Sequence, residues 1–193
     1  MRSAPVLYIF FLVFLFSSHV IAKETDSGSI EDSGATVLIY HRFGEDKYPS
    51  TSIDIERFRE QLEYLKTNDY TVISLQQLVH FLQIKAQLPE RSVVITIDDG
   101  YKSVYENAWP LLRDYGYPFT VFLYVKATEN KHWDYLTWDQ VKEMKAGGAD
   151  FQNHGFAHDH MAFKPSEMNM DDYRTWIRAD LAASTRILFV VLK

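Results

Sequence analysis

The stretch "SVVITIDDGYKS", residues 92–103, decides the reading of this chain. Val93 to Ile97 are mostly apolar and β-branched, the composition of a strand covered on both faces. The strand then delivers two adjacent carboxylates, Asp98 and Asp99, and a glycine. Asp and Gly are ordinary turn residues, so a plain strand-exit turn is one reading. The other reading is chemical. In parallel α/β folds the carboxyl ends of the strands form the functional rim. Two acids side by side there repel each other and invite a cation. A cation held by one would leave the other as an ionised base close by. Strand alternation puts Ile95 and Ile97 on one face, Thr96 and Asp98 on the other.

Outward from this strand the chain alternates. Upstream, "TVLIY" (36–40) reads as a buried strand ending at "HRFGED". In "DIERFREQLEYLKTND" (54–69) apolar residues fall at 55, 58, 62 and 65, which is helical spacing, with Asp54 placed to cap the start. "YTVIS" reads as a strand and "SLQQLVHFLQ" (74–83) as a helix capped by Ser74. Downstream, "SVYENAWPLLRDYG" (103–116) reads as a helix constrained at Pro110 and ended near Gly116. "PFTVFLYV" (118–125) is a strand whose aromatics read as core, and "TWDQVKEMKAGG" (137–148) is a helix capped by Thr137. "ADFQNHGFAHDH" (149–160) is a short strand running into a His-rich loop, and residues 166–188 are helical. Strands separated by helices predict βαβ units and a parallel sheet.

Composition narrows the classes. A chain of 193 residues, 47% of them hydrophobic, suits one globular domain. The net charge of −6 comes with no basic patch, which excludes nucleic acid as a partner. Cysteine is absent, so any metal must rely on His, Asp and Glu. Arg2 precedes the apolar run "APVLYIFFLVFLF" (4–16), and Val20 and Ala22 are small residues where a signal peptidase reads. Residues 1–22 therefore read as a signal peptide, and the protein as exported to a periplasmic, cell-surface or secreted location. A membrane enters only if this leader stays uncleaved. Residues 23–35 are polar and read as a flexible linker, leaving 36–193 as the domain.

The second motif is "NHGFAHDH" (153–160). His154 and His158 stand at i, i+4, a spacing that predicts two imidazoles on one side of a helical turn. His160 reads as a bystander and Asp159 as a supporting acceptor. A solvated polar loop is the plain alternative. Both motifs follow strands, so both fall on one rim of one sheet. One acid and two imidazoles make three ligands with a fourth position open, the composition of a catalytic site.

"TIDDG" (96–100) followed by "HGFAH" (154–158) resembles the polysaccharide deacetylase family, the NodB-homology carbohydrate esterases, whose motifs run T-F-D-D-G and H-[ST]-x-x-H. The resemblance spans roughly 36–185. "VLIYHRFGE" (37–45) is similar to the start of bacterial members acting on β-1,6-linked N-acetylglucosamine exopolysaccharide. Ile97 replaces the motif's Phe, and Gly155 its small hydroxyl residue. The resemblance implies a distorted parallel (β/α) barrel and a metal-dependent hydrolase that removes N-acetyl groups from polysaccharide. By position, Asp98 would be the base, and Asp99, His154 and His158 the ligands. Residue chemistry alone does not choose between the two aspartates. Zinc is the implied metal, with cobalt or nickel also accepted by such ligands. His41 and Tyr101 are candidate substrate contacts. Trp133, Tyr135 and Trp138 suit either sugar stacking or packing.

Family members carry further motifs downstream: an Arg-Pro-Pro-Tyr-like stretch and a late histidine acting as general acid. Here the last histidine is His160 and the last proline Pro165, and the chain ends in "RILFVVLK". The resemblance therefore implies a barrel incomplete at its carboxyl side, a truncated chain and impaired turnover. The competing reading of "RILFVVLK" is a genuine terminal strand. Two other functions compete: an O-acetyl esterase on acetylated polysaccharide, and a non-catalytic glycan binder that keeps the metal site.

Overall fold

The computed structural model describes residues 34–84 and 87–193, so the expected leader and linker residues 23–33 lie outside the described residues. In chain order the elements are β1 (Ala35–Tyr40), β2 (Arg42–Phe43), β3 (Ser52–Ile53), α1 (Ile55–Thr67), β4 (Thr71–Val72), α2 (Leu75–Ile84) and β5 (Ser92–Asp99). A π-helical turn (Val104–Ala108) leads into α3 (Trp109–Tyr115). Then come β6 (Thr120–Leu123), α4 (Val125–Glu129), α5 (Trp138–Ala146), β7 (Asp150–Asn153) and α6 (Met170–Val191).

Among the described residues every strand pair is parallel, as the alternation predicts. The main sheet runs β1-β5-β6-β7, with β4 pairing the amino-terminal end of β5; β2 and β3 form a separate ribbon. The helices start where the sequence supplies caps. Asp54 accepts the Arg57 N–H at 3.0 Å. Ser74 with Gln77, and Thr137 with Gln140, bond reciprocally across the first turn. Gly116, at φ 66°, closes α3.

The core lies on one face of the sheet. Ile95 and Ile97 of β5, Val121 and Leu123 of β6 and Phe151 of β7 pack with Phe58 and Leu62 of α1, Leu112 of α3, and Val141 and Met144 of α5. The apolar stripe read in α1 buries Phe58, Leu62 and Leu65. Each such side chain contributes about 1.5–3 kcal/mol on burial.

The structure corrects several expectations. The first strand is not covered on both faces: Val37 is 42% and Ile39 62% exposed. Register places them beside Val94 and Thr96, on the face opposite the core. Among the described residues, nothing pairs with the outer edges of β1 and β7, so the sheet is an open run of parallel strands. The aromatics of 118–125 are not all core, because only Phe119 is buried, while Phe122 and Tyr124 face the site. The 103–116 helix begins as a π-helical turn, in which the Trp109 N–H reaches back to the Val104 carbonyl. The terminal run is not a strand: α6 continues through it to Val191, and its apolar residues form the last helical turns.

Candidate active site

The sequence "DDG" works here as a backbone device. β5 is paired with β1 on one side and with β4 and β6 on the other, and its pairing with β6 extends through Asp98 and Asp99. Asp99 then turns into left-handed conformation at φ 68°, followed by Gly100 at φ 74°. Asp tolerates this region better than most residues, although it still costs about 1 kcal/mol. Gly100 has a second reason to be glycine, since an added Cβ would meet Leu123 Cδ1 at 2.4 Å. The twist sends the two carboxylates of neighbouring residues to different tasks: Asp99 is buried, while Asp98 keeps partial access to solvent.

The histidines come from the exit of β7. The expected strand-to-loop passage is present and residues 154–160 form a loop without helix, so the two histidines do not share a helical turn. Their side chains meet because Gly155 (φ 85°) and His158 (φ 58°) both take left-handed conformation and fold the loop back. The ring centroids of His154 and His158 lie 5.1 Å apart. Asn153 Oδ1 accepts the Gly155 N–H at 2.7 Å, and Asp180 of α6 accepts the Phe156 and Ala157 N–H groups at 2.7 and 2.8 Å.

Asp99, His154 and His158 offer one ligand atom each within 4.8 Å of one another. Asp99 Oδ1 stands 3.2 Å from His154 Nε2 and 2.9 Å from His158 Nε2. This buried oxygen has no hydrogen-bond partner despite those short approaches. One carboxylate oxygen and two ring nitrogens, aimed at shared space without a directed bond, fit a divalent cation with N/O ligands. Burial opposes ionisation of Asp99, but the imidazoles of His154 and His158, with His41 beyond, outweigh it and hold its carboxyl below the ordinary value. The Asp99 carboxylate, with Asp98, raises His154 against the opposing effect of burial. Asp98 goes the other way. Burial and the neighbouring Asp99 raise its pKa, only partly offset by the imidazoles, which suits a group that must accept a proton.

His41 belongs to the same rim. Its Nε2 lies 3.9 Å from Asp98 Oδ2. The segment after it is clamped: Ser103 Oγ accepts the Phe43 N–H at 3.2 Å, and Asn107 Nδ2 donates to the Phe43 carbonyl at 2.8 Å. Arg42 is buried between Glu45 and Asp134, with its guanidinium 3.4 Å from the Tyr101 ring centroid. Tyr101 also packs against Tyr135, which contacts Tyr124, which in turn contacts His158. Trp138 is tied to Glu129, whereas Trp133 is 72% exposed. Asp159 and His160 are exposed and stand outside the three-ligand cluster.

Sequence reasoning missed three things. It placed His41 near the substrate but not opposite Asp98. It assigned Phe122 and Tyr124 to the core. It passed over Asp180, which with Ser184 and Leu188 forms the buried stripe of α6.

Residues 85–188, just over half of the chain, match the family described as polysaccharide deacetylase. The poly-beta-1,6-N-acetyl-D-glucosamine N-deacetylase of Staphylococcus epidermidis is 29% identical over 168 residues, covering 76% of this chain and 57% of the relative. The enzyme of that name from Staphylococcus aureus is 28% identical over 179 residues, covering 79% and 61%. The chain thus spans about three-fifths of the length of these relatives. The structure of IcaB from Ammonifex degensii superimposes with a TM-score of 0.71 at 29% identity, over 83% of this chain and 70% of that one. With the paired aspartates, the histidine loop and the parallel strands that carry them, these matches establish that the chain belongs to the polysaccharide deacetylase family.

Proposed function

We propose that this chain hydrolyses the N-acetyl groups of an N-acetylglucosamine polymer, using a divalent cation, zinc by preference, held by Asp99, His154 and His158. The observation that carries the proposal is the facing pair Asp98 and His41, a carboxylate and an imidazole 3.9 Å apart beside the three-ligand cluster. When bound, the cation supplies Lewis acidity, polarising the amide carbonyl and acidifying a water. Asp98, with its raised affinity for protons, takes a proton from the water as its oxygen bonds to the carbonyl carbon. Breaking the C–N bond then requires a proton on the departing nitrogen, and His41 stands on the rim, placed to give it. Acetate and the sugar amine leave. His41 thus fills the acid role for which the sequence offers no histidine after His160, which favours an enzyme over a bare glycan binder. The β-1,6-linked polymer is the substrate class of the two staphylococcal relatives. An exported location fits the leader-like residues 1–22.

The test is acetate release from poly-β-1,6-N-acetylglucosamine, with acetylated xylan as the ester comparison. Chelator should abolish release from the glucosamine polymer. Asp98→Asn should lower kcat by about 10²–10⁴-fold, and His41→Gln by about 10²-fold, with zinc content unchanged. Equal release by wild type and Asp98→Asn would refute the assignment. Faster release from xylan would move the substrate to esters.

A further inference from the structure

Helix α6 is 22 residues long, and its buried residues are Asp180, Ser184 and Leu188. A helix that merely packed would bury apolar side chains along that stripe, because a buried carboxylate is unfavourable unless every oxygen is bonded. Asp180, only 8% exposed, meets that condition with one partner segment. Its Oδ1 accepts the Phe156 N–H and its Oδ2 the Ala157 N–H, so one carboxylate bridges two consecutive amides of the histidine loop. The neighbouring amide, Gly155 N–H, goes to Asn153 Oδ1, which also accepts the Ser184 hydroxyl at 2.7 Å. The loop's carbonyls face the other way: those of Gly155 and Phe156 accept the Val125 and Lys126 N–H groups at the start of α4. Gly155 fits this arrangement, because a Cβ there would stand 3.0 Å from Asp180 Oδ1.

We propose that Asp180 is a positioning residue for the metal ligands: by clamping the Phe156 and Ala157 amides it holds the 154–158 loop in the folded-back form that aims both imidazoles at Asp99. The proposal rests on the reading of His154 and His158 as ligands. It assigns to Asp180 no contact with substrate or cation. Without the clamp the loop would keep its sequence and its histidines but lose their convergence.

The test uses the purified chain and two readouts, zinc affinity by competition titration and hydrogen exchange of the loop amides in metal-free protein. Asp180→Ala should weaken zinc binding by about 10–100-fold, the range for groups that orient ligands without touching the metal. It should also speed exchange at residues 155–157. Asp180→Asn, with one acceptor oxygen for two N–H groups, should fall between, and it decides the matter if the alanine variant does not fold. Leu188→Ala, two turns further along α6, is the control, and should lower Tm without weakening zinc binding. The proposal is overturned if Asp180→Ala and Asp180→Asn bind zinc as tightly as wild type. It is equally overturned if Leu188→Ala weakens zinc binding as much. Should wild type bind no zinc, the ligand reading fails by itself, and loop exchange alone then decides whether Asp180 is the clamp.

Discussion

Asp98 and Asp99 end a strand bonded along both edges, whereas His154 and His158 stand on a loop tied down by side chains from a helix more than twenty residues away. The two halves of the site are therefore built differently. The aspartates are placed by the sheet itself: fix β5 in the core and its carboxyl end has one position. The histidines are placed by a clamp, and a four-residue strand, β7, gives their loop little direction of its own. One half inherits its rigidity from backbone pairing and apolar burial, while the other depends on a few directed bonds that can be removed singly.

Substitutions can break this contrast. The largest effect is expected from Asp99→Ala, which removes the one proposed ligand on the rigid half. Bound zinc, measured by elemental analysis after dialysis, should fall to background with the fold intact by circular dichroism. Gly100→Ala attacks the same half through its backbone. At φ 74°, with Leu123 in the way, it should lower stability by about 2–4 kcal/mol in urea unfolding. Retention of full stability would show that the strand end yields more than its burial suggests. The smallest effect is expected on the exposed face. Ile39→Ser should change stability by no more than about 0.5 kcal/mol in the same experiment, because that side chain is 62% exposed.

The same contrast explains what could be read from the sequence. The strand half was legible because its determinants are contiguous: β-branched residues, two acids and a glycine in one stretch, each dictated by its neighbours. The caps at Asp54, Ser74 and Thr137 were legible for the same reason. The histidine segment was legible as a loop, but not the way it folds: i, i+4 neighbours on a helical turn are also brought together by a loop folded through two left-handed residues, and a non-glycine such as His158 gives no warning of that conformation. Asp180 was invisible because its partners, the amides of Phe156 and Ala157, carry no side-chain signature. Phe122 and Tyr124 looked like core because alternation shows that a strand has two faces but not which one is covered. β1 failed similarly: "TVLIY" is apolar enough for burial, yet Val37 and Ile39 face away from the core.

The π-helical turn after the aspartates limits which length changes this chain can accept. One extra residue is wound into Val104–Ala108, and Ser103 and Asn107, at its start and within it, hold both backbone groups of Phe43. Deleting a single residue there would restore ordinary winding and improve the helix locally. It would also rotate the preceding side chains by about 100° relative to those that follow. Ser103 and Asn107 would no longer face Phe43 together, and the damage would surface some sixty residues upstream, in the aim of His41. A change that tidies the helix would misalign the rim, so the irregular winding keeps Ser103 and Asn107 in register with Phe43.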